Sequence, residues 1–166
     1  ALPSKMGNPS VCDKLVICLK QLTKENVKLF VGLLPKLGLN SKQLMIIDHK
    51  ESFYYYALNQ EKALWLHDVF LFEKDRDNLS SMGLRRDIRT TPQVVSIDEI
   101  VYDAMKEDDW DSYFSEIIKD TFKNHAVSTV YLVGDGFSQS WMKQSLTVLC
   151  SGRRVFMGNN LFSKGA

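Results

Sequence analysis

Apolar positions along this chain change period from segment to segment, and the changes delimit its elements. From Lys14 to Leu22 the run Leu15-Val16-Ile17-Cys18-Leu19 is apolar on both faces, which predicts a central strand in a covered sheet. Thr23 then predicts an N-cap. Val27, Phe30, Val31 and Leu34 follow at the i, i+3, i+4, i+7 spacing of a helix that bends or ends at Pro35, with Gly38 as its C-cap. Gln43 to Asp48 is the next strand. Residues Glu51 to Asn59 read as strand or helix: Phe53, Tyr54, Tyr55 and Tyr56 favour β structure, yet Phe53/Ala57 and Tyr54/Leu58 stand at helical i, i+4 spacing.

Beyond His67 the pattern becomes three extended runs, Asp68 to Glu73, Leu79 to Arg89 and Gln93 to Ile97. They are separated by Lys74-Asp75-Arg76-Asp77-Asn78 and Thr90-Thr91-Pro92, which predicts an antiparallel meander. A long helix is expected next. Acids crowd its start (Asp98, Glu99, Asp103, Glu107, Asp108, Asp109, Asp111) and Lys119, Lys123 and His125 its end, the order the helix dipole favours. Its core face is Tyr113, Phe114, Ile117, Ile118 and Phe122, with Trp110 one turn earlier. The last unit is a strand from Thr129 to Val133, a helix from Ser138 to Cys150 with Met142, Ser145, Leu146 and Leu149 facing inward, then Gly152 and a strand from Arg154 to Met157. The spans Thr23 to Gly38 and Ser138 to Gly152 are nearly equal, as in a duplicated strand-helix-strand unit, although their residues differ. At the other end, Ala1 to Asp13 carries Pro3, Gly7 and Pro9 and reads as a loosely held arm.

Composition narrows the class. With 166 residues and 45% hydrophobic content the chain can bury a real core as one domain or two small lobes. Twenty-one basic and 20 acidic residues leave a net charge of +1, so no overall field favours nucleic acid or an anionic membrane as partner. Apolar stretches are too short to span a bilayer and no signal-peptide pattern opens the chain, so a cytoplasmic location is expected. The 3 cysteines fit neither a disulfide framework nor a zinc site; they are expected to be reduced, Cys18 and Cys150 as small buried hydrophobes. The 3 histidines, His49, His67 and His125, lie far apart, and no metal site is expected.

Chemistry concentrates at Thr129 to Phe137, a strand that runs into Gly134 and Gly136 and then a helix opening on Ser138. Glycines allow close backbone approach, and a helix start offers free N–H groups to an anion such as phosphate. A lone Gly-x-Gly is a weak sign that fits a tight strand-to-helix turn as well, and Phe137 and Trp141 either stack on an adenine ring or pack as core. Lys143 and Arg153 read as surface charges. Asp108 and Asp109 are adjacent and point in different directions on a helix, so they form no matched acid-base pair. Neither a Gly-x-Ser-x-Gly elbow nor a Walker loop is present.

The element order of three antiparallel strands, a long helix, a strand, a helix and a strand resembles the ribonuclease H-like half domain that occurs twice in actin and in the heat-shock seventy-kilodalton chaperones. Val130-Tyr-Leu-Val-Gly-Asp-Gly-Phe137 is similar to the strand and glycine turn that hold adenosine in that superfamily. Asn159-Asn-Leu-Phe-Ser-Lys-Gly-Ala166 resembles the Gly-Ala that opens its last helix. Lys14 to Leu22, the helix after it and Leu44 to Phe53 resemble the end of the first half and its crossing into the second. More narrowly, Glu51-Ser-Phe-Tyr-Tyr-Tyr56, Leu64-Trp-Leu-His-Asp-Val69 and Thr90-Thr-Pro-Gln-Val-Val95 resemble an uncharacterised bacterial (Firmicutes) family with this actin-like fold.

The resemblance implies an α/β, ribonuclease H-like fold: an arm over 1–13, a partial first-half β-α-β and crossing helix over 14–60, and the second half over 61–166. Residues 51 to 59 are then helical. It also implies ATP or ADP with magnesium held by Gly134, Asp135, Gly136, Phe137 and Trp141. Members that hydrolyse ATP carry a pattern like Asp-x-Gly-Gly-Gly-Thr between the first two strands of this half. Here the turn is Phe72-Glu73-Lys74-Asp75-Arg76-Asp77-Asn78, without glycine. Its side chains obstruct phosphate, and its acids repel phosphate unless a metal intervenes; Asp75 and Asp77 as direct magnesium ligands compete with a solvated charged turn. The expectation is a degenerate nucleotide-binding domain without ATP hydrolysis and without catalytic residues. The alternative is an interaction module that keeps the fold, needs no nucleotide, and binds a protein partner through Phe53 to Trp65. The missing first-half meander and the end at Gly165-Ala166 suggest a fragment of a longer polypeptide, in which strand 14–22 offers an edge for self-association.

Overall fold

A computed structural model describes residues 13–75, 78–103, 109–138 and 140–166. The expected arm, apart from Asp13, lies outside the described residues, as do Arg76, Asp77, Glu107 and Asp108. Two units are distinguished, residues Ala1–Tyr56 with Phe162–Ala166, and residues Ala57–Leu161.

In the first unit, β1 (Leu15–Leu19) pairs in parallel with β2 (Leu44–Asp48), Leu15 opposite Leu44 and Leu19 opposite Asp48. The crossover is α1 (Lys24–Leu33), whose N-cap Thr23 accepts the Asn26 N–H at 3.1 Å. A 3-10 turn over Leu34–Leu37 continues it through Pro35, and Gly38 closes it in the left-handed conformation at φ 68°. β1 is not the covered central strand that its apolar run predicts. It belongs to a two-stranded sheet and all its residues are half-buried. With so little sheet beneath it α1 buries no residue fully, and Val31, expected on the core face, is exposed; Leu34 in the following turn is buried.

Helix α2 (His49–Leu58) decides the ambiguous aromatic segment in favour of helix and buries Ser52, Phe53 and Ala57. Asp48 starts it by accepting the Glu51 N–H at 2.7 Å. The final helix α5 (Leu161–Gly165) begins before the glycine-alanine pair expected to open it. Gly165 ends it instead and lies against the Ser52 carbonyl, where any Cβ would collide. Ser52 Oγ–H donates to the Phe162 carbonyl at 2.6 Å, and His49 stacks on Phe162 with ring centroids 3.7 Å apart.

The second unit is mixed α/β around a five-stranded sheet of order β5-β4-β3-β6-β7. Strands β3 (Asp68–Asp75), β4 (Asn78–Asp87) and β5 (Val94–Tyr102) form the predicted antiparallel meander. β6 (Val127–Val133) joins β3 in parallel, and β7 (Arg154–Met157) joins β6 in parallel. Helices α3 (Trp110–Phe122) and α4 (Lys143–Leu149) cover one face, where Phe70, Phe72, Val130 and Leu132 meet Phe114, Ile118, Phe122 and Leu149. On the opposite face Val69, Leu71, Met82, Leu84 and Tyr131 are buried too, so the central strands are apolar in both directions.

Several expectations for this unit and for the cysteines need correction. β5 runs on to Tyr102, because it pairs along the whole of β4 with Leu79 opposite Tyr102; Asp98 and Glu99 are therefore strand residues. α3 begins at Trp110 on its N-cap Asp109, which accepts the Ser112 N–H at 3.0 Å. α4 does not open on Ser138. A 3-10 turn over Asp135–Phe137 follows the glycine, Ser138 closes it by donating its N–H to the Asp135 carbonyl at 3.1 Å, and the helix starts only at Lys143. The shortened helix faces inward with Met142, Ser145 and Leu149, while Leu146 and Cys150 are exposed and Cys18 is half-buried rather than buried. Among the described residues no helix is long and apolar enough to cross a membrane.

Candidate functional site

The parallel pairing of β3 and β6 ends with Glu73 opposite Val133, so the glycine turn leaves the sheet beside the tip of β3. Gly134 has φ 100°, and a Cβ there would run into the Lys74 carbonyl and come within 2.9 Å of Asp75 Oδ1. A Cβ on Gly136 would lie 2.5 Å from Lys74 Cγ and 2.9 Å from its Cδ. Both glycines thus accommodate Lys74.

Lys74 stands on the same face of β3 as Phe70 and Phe72, by the two-residue alternation of a strand. It is 4% exposed, and its Nζ lies 3.7 Å from the centroid of the Trp110 ring and 5.8 Å from that of Trp141. A desolvated cation over an indole is stabilised by roughly 2 kcal/mol. Trp141 is fixed by donating its Nε1–H to the Gly136 carbonyl at 2.8 Å and by stacking on Phe137 at 6.1 Å. Phe137 is 3% exposed and packs on Phe114 at 5.4 Å.

Gly134, Gly136, Phe137 and Trp141 are therefore brought together, with Asp135 exposed beside them. The Phe137 ring packs in the core against Phe114. Glu73 and Lys74, expected in a solvated turn, are buried because β3 extends to Asp75. The possible magnesium pair Asp75 and Asp77 has one member outside the described residues. Among the described residues no group of three or more histidine, cysteine, aspartate or glutamate side chains is placed to hold a metal ion.

The helix start after the turn is likewise engaged. Asp111, in the first turn of α3, accepts the Gln144 N–H on Oδ2 at 2.7 Å, and the Ser145 N–H and hydroxyl on Oδ1 at 2.8 and 2.6 Å. It serves α4 as a cap from another helix, since Met142 supplies no side-chain cap. Burial pushes the Asp111 carboxyl up, but the hydrogen bonds from Ser145 and from the amides of Gln144, Ser145 and Lys143 outweigh it and hold the group below its ordinary value.

The family described as "Family of unknown function (DUF5716) C-terminal" matches residues 1–166. The chain belongs to that family. No curated protein matches it.

Elsewhere in this DUF5716 chain, Arg153 is not the surface charge its sequence suggests. It donates Nη1–H to the Val148 carbonyl at 3.1 Å and lies 4.6 Å over the Phe122 ring, and burial lowers its pKa. The aromatic segment expected to meet a partner is only partly available. Phe53 is buried, and Trp65 is engaged by its Nε1–H to the Gln60 carbonyl at 2.9 Å and by Arg86 at 4.5 Å, which leaves Tyr55 as the exposed aromatic of the segment. A cleft of about 550 Å³, for which the residue pattern carries no signal, lies between α3 and the outer part of the sheet, floored by Ser81, Gly83 and Ile100 and walled by Tyr113, Glu116 and Asp120.

Proposed function

We propose that this DUF5716 domain is a non-hydrolytic protein-interaction module on the ribonuclease H-like scaffold of the actin and chaperone ATPases. The element order β3-β4-β5-α3-β6-α4-β7, with α2 as the crossing helix, supports the fold assignment. The observation that carries the functional reading is Lys74. Its backbone and side chain fill the space in front of Gly134 and Gly136 that a nucleotide would need for close approach to the amides. Asp111 adds to this by engaging the first amides of α4 with a carboxylate, which repels a phosphate at the same place. Hydrolysis would further require donors and metal around the terminal phosphate, and the strand tip offers buried Glu73 and Lys74 there in place of glycines.

The competing reading, ATP or ADP with magnesium at Gly134, Asp135, Gly136 and Trp141, requires Lys74 to leave Trp110. Calorimetric titration with ATP and with ADP in excess magnesium separates the two. The expected result is no saturable heat and no phosphate release above the buffer rate. Saturable binding that quenches indole fluorescence, or turnover that disappears in Asp75→Ala, would overturn the interaction-only reading.

A further inference from the structure

β5 ends the five-stranded sheet and runs for 9 residues, with Val94, Ile100 and Val101 exposed at 55%, 52% and 72%. An edge of that length is a ready template for another extended segment, and proteins usually blunt such edges. β5 also borders the cleft beneath α3. Asp98, Ile100 and Tyr102 point to the cleft side opposite Gly83, Ser81 and Leu79 of β4. Gly83 makes room for the Phe70 ring, which a Cβ there would approach to 2.8 Å. Tyr102 is held in the wall by its hydroxyl, which shares hydrogen bonds with Ser81 Oγ at 2.9 Å and Thr121 Oγ1 at 3.3 Å.

The charge in this cleft is unbalanced. Arg85 is paired with Asp98 at 3.3 Å, and His125 with Asp68 at 2.7 Å. Glu116 and Asp120 stand at i, i+4 on α3, so they share one face, and neither has a side-chain partner among the described residues. Two carboxylates beside the apolar surface of Ile100, Tyr102 and Ile117 suit a side chain with an aliphatic stem and a cationic head.

We infer that β5 takes up an extended, basic segment of a partner protein by strand addition, with an arginine or lysine of that segment reaching into the cleft toward Glu116 and Asp120. This rests on the interaction reading above and specifies its surface. A strand added about 4.8 Å outside β5 continues the pleat, so every second side chain falls on the side of Asp98, Ile100 and Tyr102. Main-chain hydrogen bonds to the edge then supply affinity, and the cleft selects for charge. Exposed ion pairs contribute little, so the two carboxylates tune the choice of segment while the edge holds it.

The test uses the isotope-labelled chain and a synthetic peptide, acetyl-Val-Thr-Arg-Thr-Arg-Thr-Val-amide, followed by amide chemical shifts. The expected result is saturable shifts confined to residues 94–102 and 113–121, weakened about fivefold in the Glu116→Gln/Asp120→Asn variant and by raised salt. A peptide with both arginines replaced by glutamate should bind clearly more weakly, and one N-methylated at alternate amides should fail to bind. Absence of saturable shifts up to millimolar peptide, equal binding of the glutamate peptide, or shifts centred on another surface would each overturn the β5 assignment. The outcome is separable from that of the broader reading: nucleotide binding would sink the interaction-only function whatever the peptide does, and silence of the peptide alone removes only β5.

Discussion

The ammonium of Lys74 sits 3.7 Å from the centroid of the Trp110 ring, placing the last inward-facing residue of β3 against the first turn of α3. This contact ties the strand tip, the glycine turn and the helix into one packed cluster. It also links a charged residue that looks like part of a surface turn to the core.

Truncating that contact should therefore cost stability. Lys74→Ala removes both the stem that packs on Gly136 and the cation over Trp110, and is expected to destabilise by about 2–3 kcal/mol in urea unfolding. Lys74→Met gives up the cation but keeps most of the stem, and should lose less than Lys74→Ala. Equal stability of Lys74→Ala and the parent would mean that the lysine is not held at Trp110 in solution.

The glycines give a second, independent test of the same packing. Gly134→Ala combines a positive φ with a collision against the Lys74 backbone, and should destabilise by more than about 2 kcal/mol. In Gly136→Ala the nearest atom is in the flexible Lys74 side chain, but the Lys74 carbonyl at 2.8 Å from the new Cβ limits relief. Pairing it with Lys74→Ala should recover part of the loss in a double-mutant cycle. Strict additivity of the two changes would contradict the contact.

Much of this architecture is legible in the residues. The meander, the core face of α3 and the cap at Thr23 follow from periodicity and local chemistry, which depend on neighbours in the chain. The failures involve distant partners. Phe70, Phe72 and Lys74 already share a strand face by alternation, yet the charge of Lys74 argued for a turn until Trp110 supplied a place for it. Asp111 looked like one acid among many in a helix start, because its hydrogen-bond partner Ser145 is 34 residues away. β1 reads as a covered strand because hydrophobicity reports what a strand could bury, not how many neighbours it has.

Cysteine reactivity should separate the two described thiols. Burial raises the pKa of Cys18, the Ser52 hydrogen bond opposes it, and Asp48 and Glu51 raise it further; Cys150 is exposed. In a Cys12→Ser background, maleimide labelling at neutral pH is expected to modify Cys150 first and Cys18 at least several-fold more slowly, since the thiolate is the nucleophile. Mass spectrometry of peptides from a labelling time course gives the order directly. Faster modification of Cys18 would contradict its half-buried place in β1, next to the start of α2.

The cap that joins α3 to α4 carries a pH signature whose sign follows from the Asp111 carboxylate. Its pKa is lowered in the folded chain, so the native state favours the ionised form more than the unfolded state does. The stabilisation is complete well above the unfolded value of about 3.9 and disappears as pH falls through the lower folded value. Asp111→Ala should therefore destabilise by about 1–2 kcal/mol at pH 7, the range of a lost cap, and by clearly less near pH 2. Ser145→Ala should reproduce part of the effect at pH 7, because it removes the hydroxyl donor but keeps both amides. Urea unfolding of the three chains at the two pH values measures this. A deficit in Asp111→Ala that is the same at both would show that the residue acts through packing alone, and that the charge on its carboxylate does not hold the start of α4.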